Sequence, residues 1–363
     1  MQSDMSNRDG LRVRARRVLN PERTDTSNRQ ATASNVKEIK LMQTTDQVLM
    51  IRPAGFMSNP ETAESNAFQT SDLDAVAAQA TALLEFDAYV HLLRQAGVGV
   101  MVVDDSPTPH KPDSIFPNNW VSFHRDGRVF LYPMEAPNRR RERRTAVLAE
   151  IAKHFAIREL VDLGPFEEEG RFLEGTGSLV MDHDNKIAYV CHSSRSHPEA
   201  MGEFVGRTGY RPVWFHAVDR HGQAIYHTNV MMCVGRTLAI VCMEAIVDSS
   251  DREALCGSLK ATGKDVMAIS WEQMEAFAGN MLELQSTRGA PVFAMSGRAW
   301  ASLTEPQRRR ILNYGEPVLA PIDTIERLGG GGARCMIAEI FLQKRRATTD
   351  IRLDVALEGY PCV

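Results

Sequence analysis

The sequence predicts an α/β chain of repeated ββαβ units forming one catalytic-sized domain. Two observations carry this. Amphipathic segments of helical period are separated by two or three short apolar runs, and this happens about five times; strict one-to-one alternation would instead suggest a doubly wound sheet. No Pro/Gly-rich linker divides the chain after residue 45, so residues 45–363 read as a single domain. There is no residue-level repeat, so the repetition is architectural.

Residues 1–44 stand apart. They are rich in Arg, Ser, Thr, Asn and Gln and contain no aromatic residue, which predicts a mobile extension. Order is expected from Gln47 to Pro53, a buried strand closed by proline. A helix runs from Ser71 to Gln95, with Ser71 as N-cap and Asp74 completing a capping box. Val98–Val103 reads as a strand buried on both faces. Val129–Met134 is a strand and Arg139–Phe155 a helix. Leu179–Met181 and Ile187–Cys191 form a hairpin, followed by a helix over Ser196–Arg207 and a strand over Val213–Val218. Strands Val230–Val234 and Leu238–Met243, helix Asp251–Thr262 and strand Val266–Ser270 make a further unit. Met281–Gln285 and Val292–Met295 pair as a hairpin. Thr304–Tyr314 is helical, Glu316–Ile322 is extended, and Cys335–Leu342 is the last strong strand.

The composition is ordinary for a globular chain: 43% hydrophobic, 24% charged, net charge −4. That balance gives no general attraction for nucleic acid or membrane, and no apolar run reaches the roughly 18 residues of a membrane span. The six cysteines at 191, 233, 242, 256, 335 and 362 include no CxxC pair, which predicts reduced thiols and a cytoplasmic location. Cys191, Cys233 and Cys242 lie in apolar runs and read as core residues. No HExxH and no zinc-spaced Cys/His pair occurs, so no metal is expected. Neither GxGxxG nor GxxxxGK[ST] occurs, and no cofactor is expected.

One cysteine differs from the rest. Gly329–Gly332 run through Ala333 and Arg334 into Cys335. A glycine run lets backbone approach a ligand closely, and a thiol held just after it can serve as a nucleophile; a flexible connector is the competing explanation. Candidate partners exist. Glu174 precedes the small residues Gly175-Thr176-Gly177-Ser178, although taken alone a charged turn residue is the usual explanation. His227, in Tyr226-His227-Thr228-Asn229, stands at the start of an apolar strand, where a lone histidine is usually structural unless it faces a nucleophile. Asp113, Asn118 and Asn119 share the loop PDSIFPNNW. Arg139 lies in APNRR and Arg195 in SSRS; an arginine in a loop can clamp a carboxylate through two parallel hydrogen bonds.

Singly these are weak, but the order PDSIFPNNW, APNRR, FLEGTGS, SSRS, YHTN, GGGGARCM resembles the guanidine-modifying superfamily, which includes arginine deiminase, dimethylarginine dimethylaminohydrolase and the amidinotransferases. The resemblance spans residues 45–345. It implies the pentein fold, a five-bladed α/β propeller of ββαβ units around a polar channel. It also implies that Cys335 attacks a guanidino or ureido carbon, His227 protonates the leaving amine and activates water, and Glu174 holds substrate nitrogens. Asp113, Asn118 and Asn119 would line the pocket, with Arg139 and Arg195 on the amino-acid carboxylate.

Departures from that pattern decide the expected substrate. Dimethylarginine dimethylaminohydrolases carry Glu-Asp where this chain has Asn118-Asn119, and arginine deiminases carry aspartate where it has Asn229. A buried guanidinium cation favours carboxylates; a neutral ureido group presents a carbonyl that needs a donor, which asparagine has and aspartate lacks. The chain therefore also resembles the citrulline-utilisation hydrolases (citrulline ureidases). The expected activity is citrulline hydrolysis to ornithine, CO2 and ammonia. The alternatives are an arginine or methylarginine deiminase or dihydrolase, and a non-catalytic amino-acid-binding propeller. The expected partner is a small ureido or guanidino amino acid, with no nucleic acid and no membrane; a homo-oligomer is compatible with the sequence.

Overall fold

The repeating element is a short antiparallel hairpin, a helix, and a return strand parallel to the hairpin's second strand. The computed structural model describes residues 42–63, 66, 68–70 and 74–345, in which this element recurs as five three-stranded sheets. The second unit pairs Val121–Phe123 with Arg128–Leu131 antiparallel; after helix Thr145–His154, Glu159–Asp162 returns parallel. The third repeats this with Val180–Asp182, Ile187–Cys191, helix Pro198–Thr208 and Arg211–Phe215. The fourth uses Met232–Val234, Leu238–Cys242, helix Ser249–Ala261 and Asp265–Ile269. The fifth uses Leu282–Gln285, Pro291–Ser296, helices Gly297–Ser302 and Glu305–Leu312, and Glu316–Ala320.

The first unit closes the ring with both ends of the domain. Gln47–Arg52 pairs parallel with Gly99–Asp104 across helix Ala75–Gln95, and antiparallel with the late strand Ala338–Glu339, Val48 opposite Glu339 and Leu49 opposite Ala338. Ile340 then bridges to Phe123 of the second unit. This is the five-unit pentein fold predicted from the sequence. The long helix shows why such a unit holds: Ala78, Ala82, Phe86, Tyr89, Val90 and Leu93 form its buried stripe, at the i, i+4, i+8 spacing of one helix face.

Several expectations need correction. The helix after residue 70 starts at Ala75 with Asp74 as N-cap, its carboxylate accepting from Val76 N and Ala77 N; Ser71 lies outside the described residues. Gly99–Asp104 is half-buried rather than doubly buried, because it is the outer strand of its sheet. The helix expected over Arg139–Phe155 is two, Pro137–Arg140 and Thr145–His154. Between them the arginines follow carboxylates instead of helical register, Arg143 pairing with Glu167 and Arg144 with Asp105. The apolar run Val230–Val234 is a helical turn, Thr228–Met231, before it is a strand. Of Cys335–Leu342 only Ala338–Glu339 pairs as strand. The glycine run is preceded by helix Asp323–Gly329, which the sequence reading missed. The ordered domain begins before residue 45: Gln43 is buried and its amide donates to Met181 O and Val234 O, both at 2.9 Å. Residues 1–41, and with them most of the expected extension, lie outside the described residues. No helix among the described residues is long and apolar enough to cross a membrane.

Candidate active site

Each of the five units contributes a residue just before its first strand, and these residues converge at one end of the ring's centre. Asn119 ends the turn Pro117–Asn119 before Val121. Glu174 caps the turn Gly175–Ser178 before Val180, and His227 caps Thr228–Met231 before Met232. Asn280 precedes Leu282, and Cys335 precedes Ala338. Backbone contact brings these turns together. Gly175 adopts φ +45°, and a Cβ there would stand 2.4 Å from Asn118 O; only glycine permits this approach.

Asp113, Asn119, Arg139, Arg195, His227 and Cys335 line a single pocket of about 300 Å³, with Gly329–Gly331 and Tyr226 in its wall. Six of the nine residues singled out in the sequence thus face one space. Glu174 is reached through His227, whose Nε2 lies 2.8 Å from Glu174 Oε2. Asn229 touches Cys335 from the other side, Nδ2 to Sγ 3.6 Å. Asn118 does not line the pocket. Its carbonyl accepts from Thr176 Oγ1 at 3.2 Å, and its side-chain amide is buried without a hydrogen-bond partner among the described residues.

Glu174 is the electrostatic centre. It is fully buried; Oε1 accepts from Glu135 N at 3.0 Å, and Oε2 accepts from His227 and from Arg195 Nη1 at 3.4 Å, with Arg139 Nη1 3.8 Å away. Burial works against its charge, but Arg195, the His227 bond and Arg139 outweigh it and hold the carboxyl well below the usual range. Burial pushes His227 down to about 4, against the pull of Glu174. An ionised carboxylate can only accept, so His227 carries its proton on Nε2 and leaves Nδ1 with a lone pair. Burial also raises the Cys335 thiol, opposed by the Asn280 hydrogen bond and by Arg334, so the resting sulfur is protonated at neutral pH.

The two arginines are not open clamps. Arg139 binds Glu142 through Nε (2.9 Å) and Nη2 (3.0 Å) and lies 3.6 Å from Asp113. Arg195 Nε binds Glu135 at 3.0 Å, and its guanidinium lies over the Tyr226 ring. Both balance buried carboxylates. Asp113 accepts from Asn59 Nδ2 at 2.7 Å on Oδ2, while Oδ1 and Asn119 Nδ2 have no partner among the described residues. These two, with His227 Nδ1, are polar atoms open to a ligand in the pocket. Cys191 and Cys233, by contrast, are core thiols that burial raises to about 11 and about 12.

Sequence reading missed Asn280 and Asn59. Asn280 Nδ2 lies 3.2 Å from Cys335 Sγ. Its only signal was position, a polar residue before the first strand of its unit, like Asn119 and Cys335.

Comparison with known proteins agrees with this architecture. The family described as N,N dimethylarginine dimethylhydrolase, eukaryotic, matches residues 52–342. No curated protein sequence matches at a significant level. Among solved structures, the substrate-bound N-terminal domain of ArgZ, an arginine dihydrolase from the ornithine-ammonia cycle in cyanobacteria, superposes with TM-score 0.62 at 14% identity, covering 82% of this chain and 99% of that one. A variant of AgrE in complex with L-arginine gives 0.64 at 14% identity, covering 81% of this chain but 40% of AgrE. A dimethylarginine dimethylaminohydrolase variant carrying an S-methyl-L-thiocitrulline adduct gives 0.57 at 14% identity, covering 82% and 100%. These structures share the fold; the family match, over most of the chain, carries the assignment. The chain belongs to the dimethylarginine dimethylhydrolase family of the guanidine-modifying, pentein-fold superfamily.

Proposed function

We propose that the chain is a cysteine-dependent C–N hydrolase acting on the ureido group of L-citrulline. The observation that carries this reading is the neutrality of the sulfur's surroundings: the side chains hydrogen-bonded to Cys335 Sγ are the amides of Asn229 and Asn280. The nearby carboxylate Glu174 is already balanced by Arg139 and Arg195. A guanidinium placed against Sγ would have its charge uncompensated there, whereas a neutral ureido group would not. Asn119 Nδ2 supplies an unused donor for its carbonyl oxygen.

In this reading His227 Nδ1 takes the thiol proton as Sγ adds to the ureido carbon. The imidazolium, held by Glu174, returns the proton to the departing amine, leaving a thiocarbamate on Cys335. Water activated by the same nitrogen cleaves the C–S bond, and the carbamate releases CO2. The balance is citrulline plus water giving ornithine, CO2 and ammonia. Asp113 Oδ1 remains for the α-ammonium group. That same oxygen supports the second reading, an arginine dihydrolase or deiminase, since it could take a guanidinium instead; the ArgZ and AgrE neighbours point the same way.

One variant separates these readings and a second tests the geometry they share. Asn229→Asp places a charge beside the reacting carbon. Its ratio of kcat/KM for arginine over citrulline is expected to rise by about 10- to 100-fold, the worth of one charge-assisted hydrogen bond at ~1.5–3 kcal/mol. An unchanged ratio contradicts the neutral-pocket argument. Gly177→Ala would put a Cβ 2.4 Å from Asn119 Nδ2 and 2.9 Å from His227 Nδ1. It is expected to lower kcat/KM by about 10-fold or more, because one misplaced reacting group costs that much. Steady-state kinetics with a thermal melt check both; wild-type kinetics in a folded Gly177→Ala would remove His227 and Asn119 from the account.

A further inference from the structure

Asn280 is the fifth residue of the ring of pre-strand positions and is not among the residues that the sequence motifs pointed to. It is 1% exposed and bound on every side. Its Oδ1 accepts from Arg334 N at 3.1 Å, and its Nδ2 donates to Asn229 O at 2.8 Å. These two backbone partners, one a donor and one an acceptor, fix which way the amide faces. Only one amide hydrogen is then left, and Cys335 Sγ lies 3.2 Å from that nitrogen. The sulfur also lies 3.6 Å from Asn280 Oδ1; the Asn229 amide, by contrast, has no such backbone partners among the described residues, its Nδ2 and Oδ1 standing 3.6 and 3.9 Å from the sulfur.

The fold is shaped locally to bring Asn280 to this place. Phe277 takes φ +62°, a left-handed backbone that costs a bulky residue energy. Gly279 packs so tightly that a Cβ would stand 2.4 Å from Val230 O, and a Cβ on Gly332 would stand 2.8 Å from Asn280 Oδ1. The charged neighbour of the sulfur, Arg334, has its guanidinium engaged elsewhere, by Ile337 O and Glu339 Oε2 at 2.9 Å each.

We propose that Asn280 is a catalytic residue whose fixed amide N–H holds the Cys335 sulfur as it becomes a thiolate, leaving Asn229 to face the substrate. The cation formed when His227 takes the proton is lost again as that proton passes to the departing amine, so an oriented dipole is needed to hold negative charge on the buried sulfur throughout, and one already in place costs no reorganisation when the proton leaves. The proposal rests on Cys335 being the nucleophile.

The test is the pH dependence of Cys335 alkylation by iodoacetamide in the full chain, read by peptide mapping, beside citrulline kinetics. Asn280→Ala removes the donor. Asn280→Asp also removes it but keeps an acceptor for Arg334 N, so it guards against a folding defect in the first variant. Both are expected to move the half-maximal alkylation pH upward by about one unit or more, which is about 10-fold slower labelling at neutral pH. A matching fall in kcat is expected, with KM changed by about threefold or less. A folded Asn280→Asp with the wild-type alkylation profile overturns the proposal. Full turnover by Cys335→Ser would instead defeat the nucleophile reading, and the alkylation profile would still report whether Asn280 acts on this sulfur.

Discussion

Cys335→Ala is expected to abolish citrulline turnover, lowering kcat by about 10^4-fold or more, while the protein stays folded. Cys335 is 4% exposed and lines the pocket, and both C–N and C–S bond changes of the enzyme-bound course pass through its sulfur. Removing it deletes one buried atom that touches the Asn229 and Asn280 amides and the apolar cluster containing Phe116 and Met336, so the stability change is expected to be about 1 kcal/mol. Cys335→Ser keeps the shape but offers a hydroxyl far harder to ionise than a thiol, and is expected to be nearly as inactive. Steady-state ammonia release together with a melt checks both. Activity within tenfold of wild type in either folded variant would mean that the thiol is not the nucleophile.

Glu174→Gln is expected to damage both stability and chemistry. Both carboxylate oxygens of Glu174 accept, Oε1 from Glu135 N and Oε2 from His227 and Arg195. A glutamine has one acceptor oxygen, so at one side its NH2 must face another donor. The change also removes the negative charge between two buried guanidinium groups. Breaking a buried ion pair by removing one partner costs about 3–5 kcal/mol. Arg139 keeps Glu142 and Arg195 keeps Glu135, which places the expected loss at the lower end of that range. His227 loses the acceptor that fixes its protonated nitrogen, and kcat is expected to fall by about 10²-fold or more. Urea unfolding and kinetics on the same preparation check the pair of effects. A stable variant with intact kcat would show that the Glu174–His227 contact is only structural.

Much of this site was legible because its residues sit in short, unusual local contexts. Glu174 precedes a run of small residues, Cys335 follows shortly after a glycine run, and His227 stands at the mouth of an apolar run; their order along the chain carried the resemblance. The five units were legible from helix spacing, since the hairpin and the parallel return strand each leave a periodic trace. Asn280 and Asn59 were not legible, because a lone asparagine carries no pattern; what makes Asn280 matter is the turn at Phe277 and the Arg334 backbone, which meet it only in three dimensions. The run Cys335–Leu342 misled for a related reason. It is as apolar as a long strand, but it closes the ring, and most of its burial comes from the core around it; only Ala338–Glu339 form a strand, with a single further bridge from Ile340 to Phe123. Arg139 and Arg195 were found, but their partners were not: composition gives the arginines, and only the fold shows Glu142, Glu135 and Glu174 holding them.

The most direct test of the account is an endpoint assay of the purified full chain, with L-citrulline, L-arginine and dimethylarginine supplied separately and ornithine and ammonia quantified. The account predicts ornithine and ammonia in equal amounts from citrulline, and little product from the other two. Conversion of arginine to citrulline or ornithine, with supplied citrulline left intact, would contradict it and assign the pocket to guanidinium substrates.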